Sequence, residues 1–408
     1  LCLIIKLFHH LLRKFKLLNE RILQQDIQEH IKNHLKSDIH KLILKGVPFE
    51  GVTVQEVANQ VICKQKSEKK LPSWFDTKNV YYPPKVSIEQ TSSETAANYK
   101  ASLVSGKRLL DLTGGFGVDS FYFSSSFNTV VHCEIDSNLS KIAAHNFKQL
   151  NKTNITCLAE NGIEYLKKSS ENFDVIYVDP SRRSDSKGKV FLLKDCEPNI
   201  PKYIDLLFNK TKTILIKNSP ILDITSASKE LKFVKEIHII AINNDVKELL
   251  YLLEKEYNGL VSIHTINFSN KNIQKFNFVF NEKSISNYQE PLDYLYEPNG
   301  AILKSGGFHK ITTQLDVYKI HQHSHLYTSK KNIQFPGRRF KILAVLPYDK
   351  KKIVKLLPNK KANITTRNFH KSVAQIRKEL KIKEGGDDYL FFTTNIHNTF
   401  SCIYCKKL

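Results

Sequence analysis

Hydrophobic and polar positions along the chain follow three successive rhythms. Over residues 1–45, Leu, Ile and Phe recur at helical spacing among Lys, His and Gln, with no Gly or Pro before Gly46 and Pro48, which predicts helices. Residues 51–80 predict another short helical unit closing at Pro72-Ser73-Trp74. The first 18 residues are basic and apolar, a composition that can lie along a membrane surface. An ordinary helix is the expectation there, and no small-residue cleavage site marks a signal peptide. Tyr81-Tyr82-Pro83-Pro84 then breaks the helical pattern.

Beyond the break, β-prone runs alternate with helical ones. Strands are predicted at 108–111, 129–135, 155–158, 174–178, 213–217 and 237–242, and helices at 138–150 and 203–209. That alternation predicts a parallel, doubly wound α/β sheet. From about residue 250 the rhythm changes again. Strands at 261–267 and 276–280 precede a turn at Glu297-Pro298-Asn299-Gly300, and 340–405 reads strand, helix, strand, helix, strand, strand. Such an order suits a small α+β module. The expected organisation is a helical region over 1–80, an α/β domain over 81–250, a connecting segment with a small domain over 251–336, and the α+β module over 337–408.

Charge sharpens this division. The 408 residues carry 62 Lys and Arg against 40 Asp and Glu, a formal charge of +22. The first hundred residues hold +6, residues 101–300 are neutral, and 301–408 hold 22 positive against 6 negative side chains, or +16. A neutral core and a basic tail imply division of labour, with the tail facing polyphosphate. Only nine of the cations are Arg. Seven scattered cysteines argue against a disulfide framework and for a reducing, cytoplasmic setting. No apolar run reaches the ~20 residues of a membrane span. Met is absent throughout, which points to a truncated, processed or edited sequence.

The strongest local motif is Leu109-Leu110-Asp111-Leu112-Thr113-Gly114-Gly115-Phe116-Gly117-Val118-Asp119-Ser120. A strand ends at Asp111, a glycine loop follows, and a helix opens after Gly117. Glycines let such a loop approach a ligand closely. A dinucleotide loop would read G-x-G-x-x-G/A, which Ser120 fits only approximately. An acid beside the loop repels a pyrophosphate but suits the cationic amino-acid part of S-adenosylmethionine (SAM). Glu134, 23 residues past Asp111, ends the next strand and suits ribose hydroxyls. Asn161 follows the third strand and suits an adenine edge. Asp179-Pro180-Ser181-Arg182-Arg183 ends the fourth. Each acid alone also reads as a helix cap or a solvated loop, and the glycines alone as a tight turn.

With these residues the chain resembles the class I SAM-dependent methyltransferases, and more closely the bacterial subfamily that carries a C-terminal THUMP-like domain. The resemblance also rests on Ser87–Glu94 with Tyr99-Lys100-Ala101, on Ile216–Asp223, and on Tyr296-Glu297-Pro298-Asn299. His325–Ser329, Phe335-Pro336-Gly337-Arg338, Thr366-Arg367-Asn368-Phe369 and Lys383–Asp387 complete it. It implies a Rossmann-like α/β methyltransferase sheet, an N-terminal helical region, and ferredoxin-like and THUMP-like α+β modules. It implies that Asp111, Thr113, Gly115 and Gly117 cradle SAM, that Glu134 holds its ribose and that Asn161 lies against adenine. Ile88 and Leu222 stand where the family would have Met.

Asp179-Pro180 stands where base methyltransferases of this class carry Asp/Asn-Pro-Pro-aromatic, and Ser181 and Arg182 depart from that motif. Asp179, Pro180 and Arg182 are the expected catalytic group. Arg182 and Arg183 suit planar contacts to phosphate or a base, or equally a structural ion pair. No Cys beside Asp179 favours a cysteine-nucleophile route. THUMP domains in related enzymes recognise structured RNA, so the expected partner is RNA, tRNA foremost, through Arg338, Arg339 and Arg367, and not DNA. The alternatives are an RNA-binding protein with a degenerate methyltransferase fold, or a methyltransferase acting on a protein or small molecule. No metal is expected: Cys402-x-x-Cys405 lacks a second half-site, and His321, His323 and His325 read as a polar strand edge.

Overall fold

The computed structural model describes residues 18–83, 85–182, 192–269 and 272–408, with backbone only at 85–87 and 182. The expectations for the first 17 residues, for Pro84 and for Arg183 lie outside the described residues. Two compact units emerge. The first comprises the described chain to Asn218 with 225–233 and 251–257, and the second comprises 219–224, 234–250 and 258–408.

The first unit opens with helices α1 (Gln25–Asn33), α2 (Ile39–Lys45), α3 (Val54–Lys70) and α4 (Pro72–Asp76). A capping box starts α3: the Thr53 hydroxyl accepts from the Glu56 N–H while Glu56 accepts from the Thr53 N–H. Ile22, Ile27, Ile31, Leu42, Val57 and Val61 form a core of their own among these helices. Helix α5 (Glu94–Ser102) then leads into the sheet.

That sheet alternates β1 (Gly106–Asp111), α6 (Val118–Phe123), β2 (Phe127–Cys133), α7 (Ser137–Gln149), β3 (Ile155–Leu158), α8 (Gly162–Lys168), β4 (Val175–Val178), α9 (Ile200–Phe208) and β5 (Thr213–Asn218). The strands run parallel in the order β3-β2-β1-β4-β5. All four residues of β4 are buried, as parallel strands covered on both faces require. The order reverses direction between β1 and β4, and ligands in such sheets bind at the strand ends flanking that point. The expected Rossmann-like α/β sheet is therefore observed.

The second unit contains β6 (Val234–Ile242) parallel to β8 (Ser262–Phe268), with β9 (Ile273–Val279) antiparallel to β8. Strand β7 (Asp245–Glu254) is divided between the units. The sequence reading has no strand there, because Glu-Leu-Leu-Tyr-Leu-Leu carries no alternation. Six consecutive buried residues, 248–253, explain this: a strand covered on both faces need not alternate.

A separate sheet is built from β10 (Tyr294–Pro298), β11 (Tyr318–Lys319), β12 (Tyr327–Ser329), β13 (Gly337–Pro347), β14 (Asn363–Arg367), β15 (Asp388–Thr394) and β16 (Phe400–Lys407). Its order is β11-β12-β10-β13-β16-β15-β14. Helices Lys350–Lys355 and Val373–Leu380 complete the predicted α+β alternation. Cys402 packs with Ile353 and Ile376, whereas Cys405 packs with Leu295 and Phe340, so the two thiols lie in different cores. His321, His323 and His325 are not on a strand edge. They fall in and beside a turn in which the His321 ring accepts from the His323 N–H and also bonds Asn368 and Asn398.

Glu297 on β10 lies directly opposite Arg338 on β13 and is buried, its side chain 4 % exposed. Its carboxylate accepts from Arg338 Nε at 2.6 Å and from Arg367 Nη2 at 2.7 Å. One carboxylate therefore fixes two arginines. Glu297→Gln is expected to lower the unfolding free energy by about 1–3 kcal/mol, measured by urea denaturation, because both guanidinium groups lose their counter-charge while remaining partly hydrated.

Candidate cofactor and active site

The ends of β1 and β4 and the loop between β1 and α6 wall a cavity of about 370 Å³ in the first unit. That size lies within the roughly 300–1,000 Å³ of small-molecule sites. Asp111, Thr113, Gly115, Glu134, Asn161 and Asp179 all line it, so one wall gathers six of the residues singled out from four successive strand ends. Gly117 stands behind the loop as the N-terminal cap of α6, in the left-handed region at φ 88°. There a Cβ would come within 2.4 Å of the Phe147 ring. Gly115 is also left-handed, at φ 56°, but a Cβ there meets only Thr113 O at 3.9 Å. The loop therefore leaves open space in front of Gly115. Pro180 is buried, Ser181 lines the cavity, and the Arg182 side chain lies outside the described residues.

Asp111 is 1 % exposed. It accepts from the Thr113 N–H at 3.0 Å and the Ser120 hydroxyl at 2.6 Å, neither of them a cation. Burial, reinforced by Asp119 and Asp179, pushes its carboxyl up to about 7 despite those bonds. Glu134 accepts from the Gly115 N–H at 2.8 Å and the Asp136 N–H at 2.7 Å, and burial raises it as well. The Asn161 side-chain oxygen caps α8 through the N–H groups of Ile163 and Glu164. A ligand contact from Asn161 therefore falls to its amide NH2. The Thr113 hydroxyl accepts from the Asp179 N–H at 2.7 Å and ties the end of β4 to the glycine loop.

A chain of charges runs through and behind this lining, and the sequence reading leaves out its Lys100–Asp119 part. Lys100, fully buried on α5, reaches Asp119 at 3.1 Å and donates to the Ser92 hydroxyl at 2.8 Å. Ser92 and the Tyr177 hydroxyl both donate to Asp119, at 3.0 and 2.7 Å. Lys217 at the end of β5 pairs with Asp179. Burial pushes Asp119 up, but Lys100 and then Lys217 outweigh it and hold the carboxyl below its ordinary range. Burial raises Asp179 against the pull of Lys217. Lys100 and Asp119 lie within the motifs that carry the resemblance, yet a lysine on a nine-residue helix reads as surface.

Part of the lining is apolar. Ile135 is 71 % exposed although large and hydrophobic, and Leu139 and Ile163 accompany it. A ligand with one cationic part and one flat apolar part fits a lining of this kind. SAM has both, and the open face of Gly115 gives it room.

Comparison with known proteins agrees with this fold. Residues 294–336 match the ferredoxin-like domain family and residues 337–407 the THUMP domain-like family. No curated protein sequence matches the chain. Among solved structures, a candidate methyltransferase from Porphyromonas gingivalis W83 aligns at a TM-score of 0.86 and 29 % identity, over 96 % of this chain and 100 % of that one. The candidate methyltransferase yhhF from Escherichia coli aligns at 0.30 and 18 % identity, over 40 % of this chain and 85 % of its own. TrmK from M. capricolum, solved with S-adenosylhomocysteine, aligns at 0.30 and 16 % identity, over 40 % and 70 %. The last two scores carry no functional reading.

The raised Asp111 carboxyl has a measurable consequence in the cofactor-free protein. Its folded value, about 7, exceeds the ordinary 3.8, so the folded state holds a proton that the unfolded state releases. The contribution of Asp111 to stability is then greatest below about pH 4 and falls as pH rises towards 7, by about 4 kcal/mol at most. Asp111→Asn should flatten that decline between pH 4 and 7 in a series of urea titrations.

Proposed function

We propose that this protein, a SAM-dependent methyltransferase by fold and site, transfers the methyl group to a base of structured RNA, with tRNA the favoured species. The observation that carries the reading is the position of Asp179. Its N–H is bonded to Thr113 of the glycine loop and its carboxylate to Lys217, while it lines the same cavity as Asp111 and Glu134. The residues we assign to the cofactor and the acid we assign to the acceptor thus line one cavity.

Asp111, Thr113, Gly115 and Gly117 would hold the amino-acid part of SAM, Glu134 its ribose hydroxyls, and Asn161 with Ile135 its adenine. When bound, SAM supplies a methyl group activated on a sulfonium. The protein's part is position and electrostatics. Asp179, kept in reach of an anionic state by Lys217, accepts an N–H of the target amine and orients its lone pair. Pro180 fixes the backbone direction at the strand end. Ser181 replaces a second proline and Arg182 an aromatic ring, so base stacking must come from elsewhere than this motif.

Support for RNA comes from the second unit. Residues 337–407 match the THUMP domain-like family, and this part of the chain is strongly basic. Arg338 and Arg367 are engaged by Glu297, and Arg339 donates to the Ile333 carbonyl at 3.2 Å. Lys351, Lys352, Lys355, Lys360, Lys361 and Lys378 are exposed and suit a phosphate backbone better than the arginines do. His370 and Phe400 are exposed aromatic groups of the same module, their ring centroids 4.3 Å apart and the rings tilted by 42°. No disulfide joins the six described cysteines, which supports a cytoplasmic setting. No helix among the described residues is long and apolar enough to cross a membrane.

Two measurements test this. Asp179→Ala should lower methylation of tRNA by labelled SAM at least about 100-fold, with SAM binding by calorimetry retained. Absence of labelled RNA with the intact protein, SAM binding being normal, rejects the enzyme reading and favours a non-catalytic RNA binder. Replacing Lys351, Lys352 and Lys360 by Gln should flatten the log–log salt dependence of RNA binding by roughly 0.7–0.9 for each phosphate no longer neutralised. RNA affinity that is absent, or indifferent to salt, points instead to a protein or small-molecule acceptor.

A further inference from the structure

We propose that Glu236, His238 and His264, in the second unit, form a binding site for a divalent transition-metal ion, zinc being the ion that this donor set suits. The site is separate from the proposed methyl-transfer residues and stands independently of that function.

Strand geometry brings the three together. Glu236 and His238 are two residues apart on β6, so their side chains share one face of the sheet. Parallel pairing places Ser262 beside Glu236 and His264 beside His238. All three side chains therefore project from the same face of two adjacent strands. One ligand atom from each lies within 4.8 Å of the other two. His238 Nε2 is 3.1 Å from Glu236 Oε2, and His264 Nε2 is 3.7 Å from the same oxygen. The imidazole rings stack nearly parallel, 4.7 Å apart and 16° inclined.

His238 is hydrogen-bonded to Glu236 at 3.1 Å, and His264 brings a second imidazole towards the same oxygen without bonding it. A separation of 3.7 Å is too long for a hydrogen bond. Tetrahedral zinc with bonds of about 2.0–2.1 Å sets its ligand atoms about 3.3 Å apart. The two observed spacings, 3.1 and 3.7 Å, bracket that edge. Two imidazoles and one carboxylate are a borderline donor set, suited to zinc and poorly suited to magnesium or calcium. Side-chain exposures of 27 % for Glu236 and 28 % for His264, against 3 % for His238, give a site with a buried floor and an open side. Asn277, exposed and directly opposite His264 on β9, stands on that face, where it or water completes the coordination. An ion here links β6 and β8 through side chains, in addition to their backbone ladder.

The test uses the whole protein stripped with a chelator and titrated with zinc chloride against a chromophoric competitor. One equivalent should bind, with a rise in Tm. Glu236→Gln and His264→Ala, at the two partly exposed positions, should each weaken binding at least tenfold while leaving the circular dichroism spectrum intact. Cobalt in place of zinc should give visible bands of a nitrogen- and oxygen-ligated ion without thiolate charge transfer, which separates this site from the cysteines. Failure to bind at tens of micromolar zinc, affinity unchanged by both substitutions, or a thiolate spectrum would each overturn the proposal.

Discussion

Three carboxylates in the wall of one cavity are the constraint on which this structure turns. Asp111, Asp119 and Asp179 repel one another, and each loses hydration on burial. The fold answers two of them with lysines. Lys100 comes from a helix before the sheet and Lys217 from the last parallel strand, so the ion pairs exist only when α5, α6, β4 and β5 are all in place. Ser92 and Tyr177 fill further lone pairs on Asp119. Electrostatics and topology are thus coupled: the site forms only once the first unit has assembled around it.

Much of this was legible in the sequence, for a physical reason. Parallel strands bury continuous apolar runs and end in polar residues, so the Gly-rich loop and the acids after each strand stand out from their surroundings. Asp111, Glu134, Asn161 and Asp179 are such residues, and one cavity gathers them. What escaped is what carries no local signature. Lys100 resembles any surface lysine until α5 is packed. Strand β7 resembles a helix because burial on both faces removes its alternation. Glu236, His238 and His264 converge only through pairing between strands whose facing residues are 26 positions apart in sequence.

The basic tail shows the same distinction between what a residue is and what it faces. Its arginines invite a nucleic-acid reading because they are scarce. Packing gives two of them another task, since Arg338 and Arg367 neutralise one buried glutamate. The lysine runs of the tail, such as Lys351-Lys352 and Lys360-Lys361, remain exposed and able to release counterions. A flexible ammonium suits backbone contacts that tolerate variation in geometry, whereas a bidentate guanidinium suits a fixed carboxylate. The assignment of each cation type follows from that difference.

Asp111 remains the exception that gives the cavity its purpose. Glu134 already holds the Gly115 N–H and the Asp136 N–H, so its orientation is fixed before any ligand arrives, and each oxygen retains a lone pair for a hydroxyl. Asp111 is fixed in the same way by Thr113 and Ser120, but among the described residues no lysine pairs with it. A cationic ligand would do for Asp111 what Lys100 does for Asp119. The energy withheld from the fold alone is then returned on binding, and it is returned selectively to a ligand that carries positive charge beside the glycine loop. A neutral or anionic nucleotide of the same shape would leave the carboxylate unpaired, so under the proposed assignment this buried acid favours a cationic cofactor over a dinucleotide.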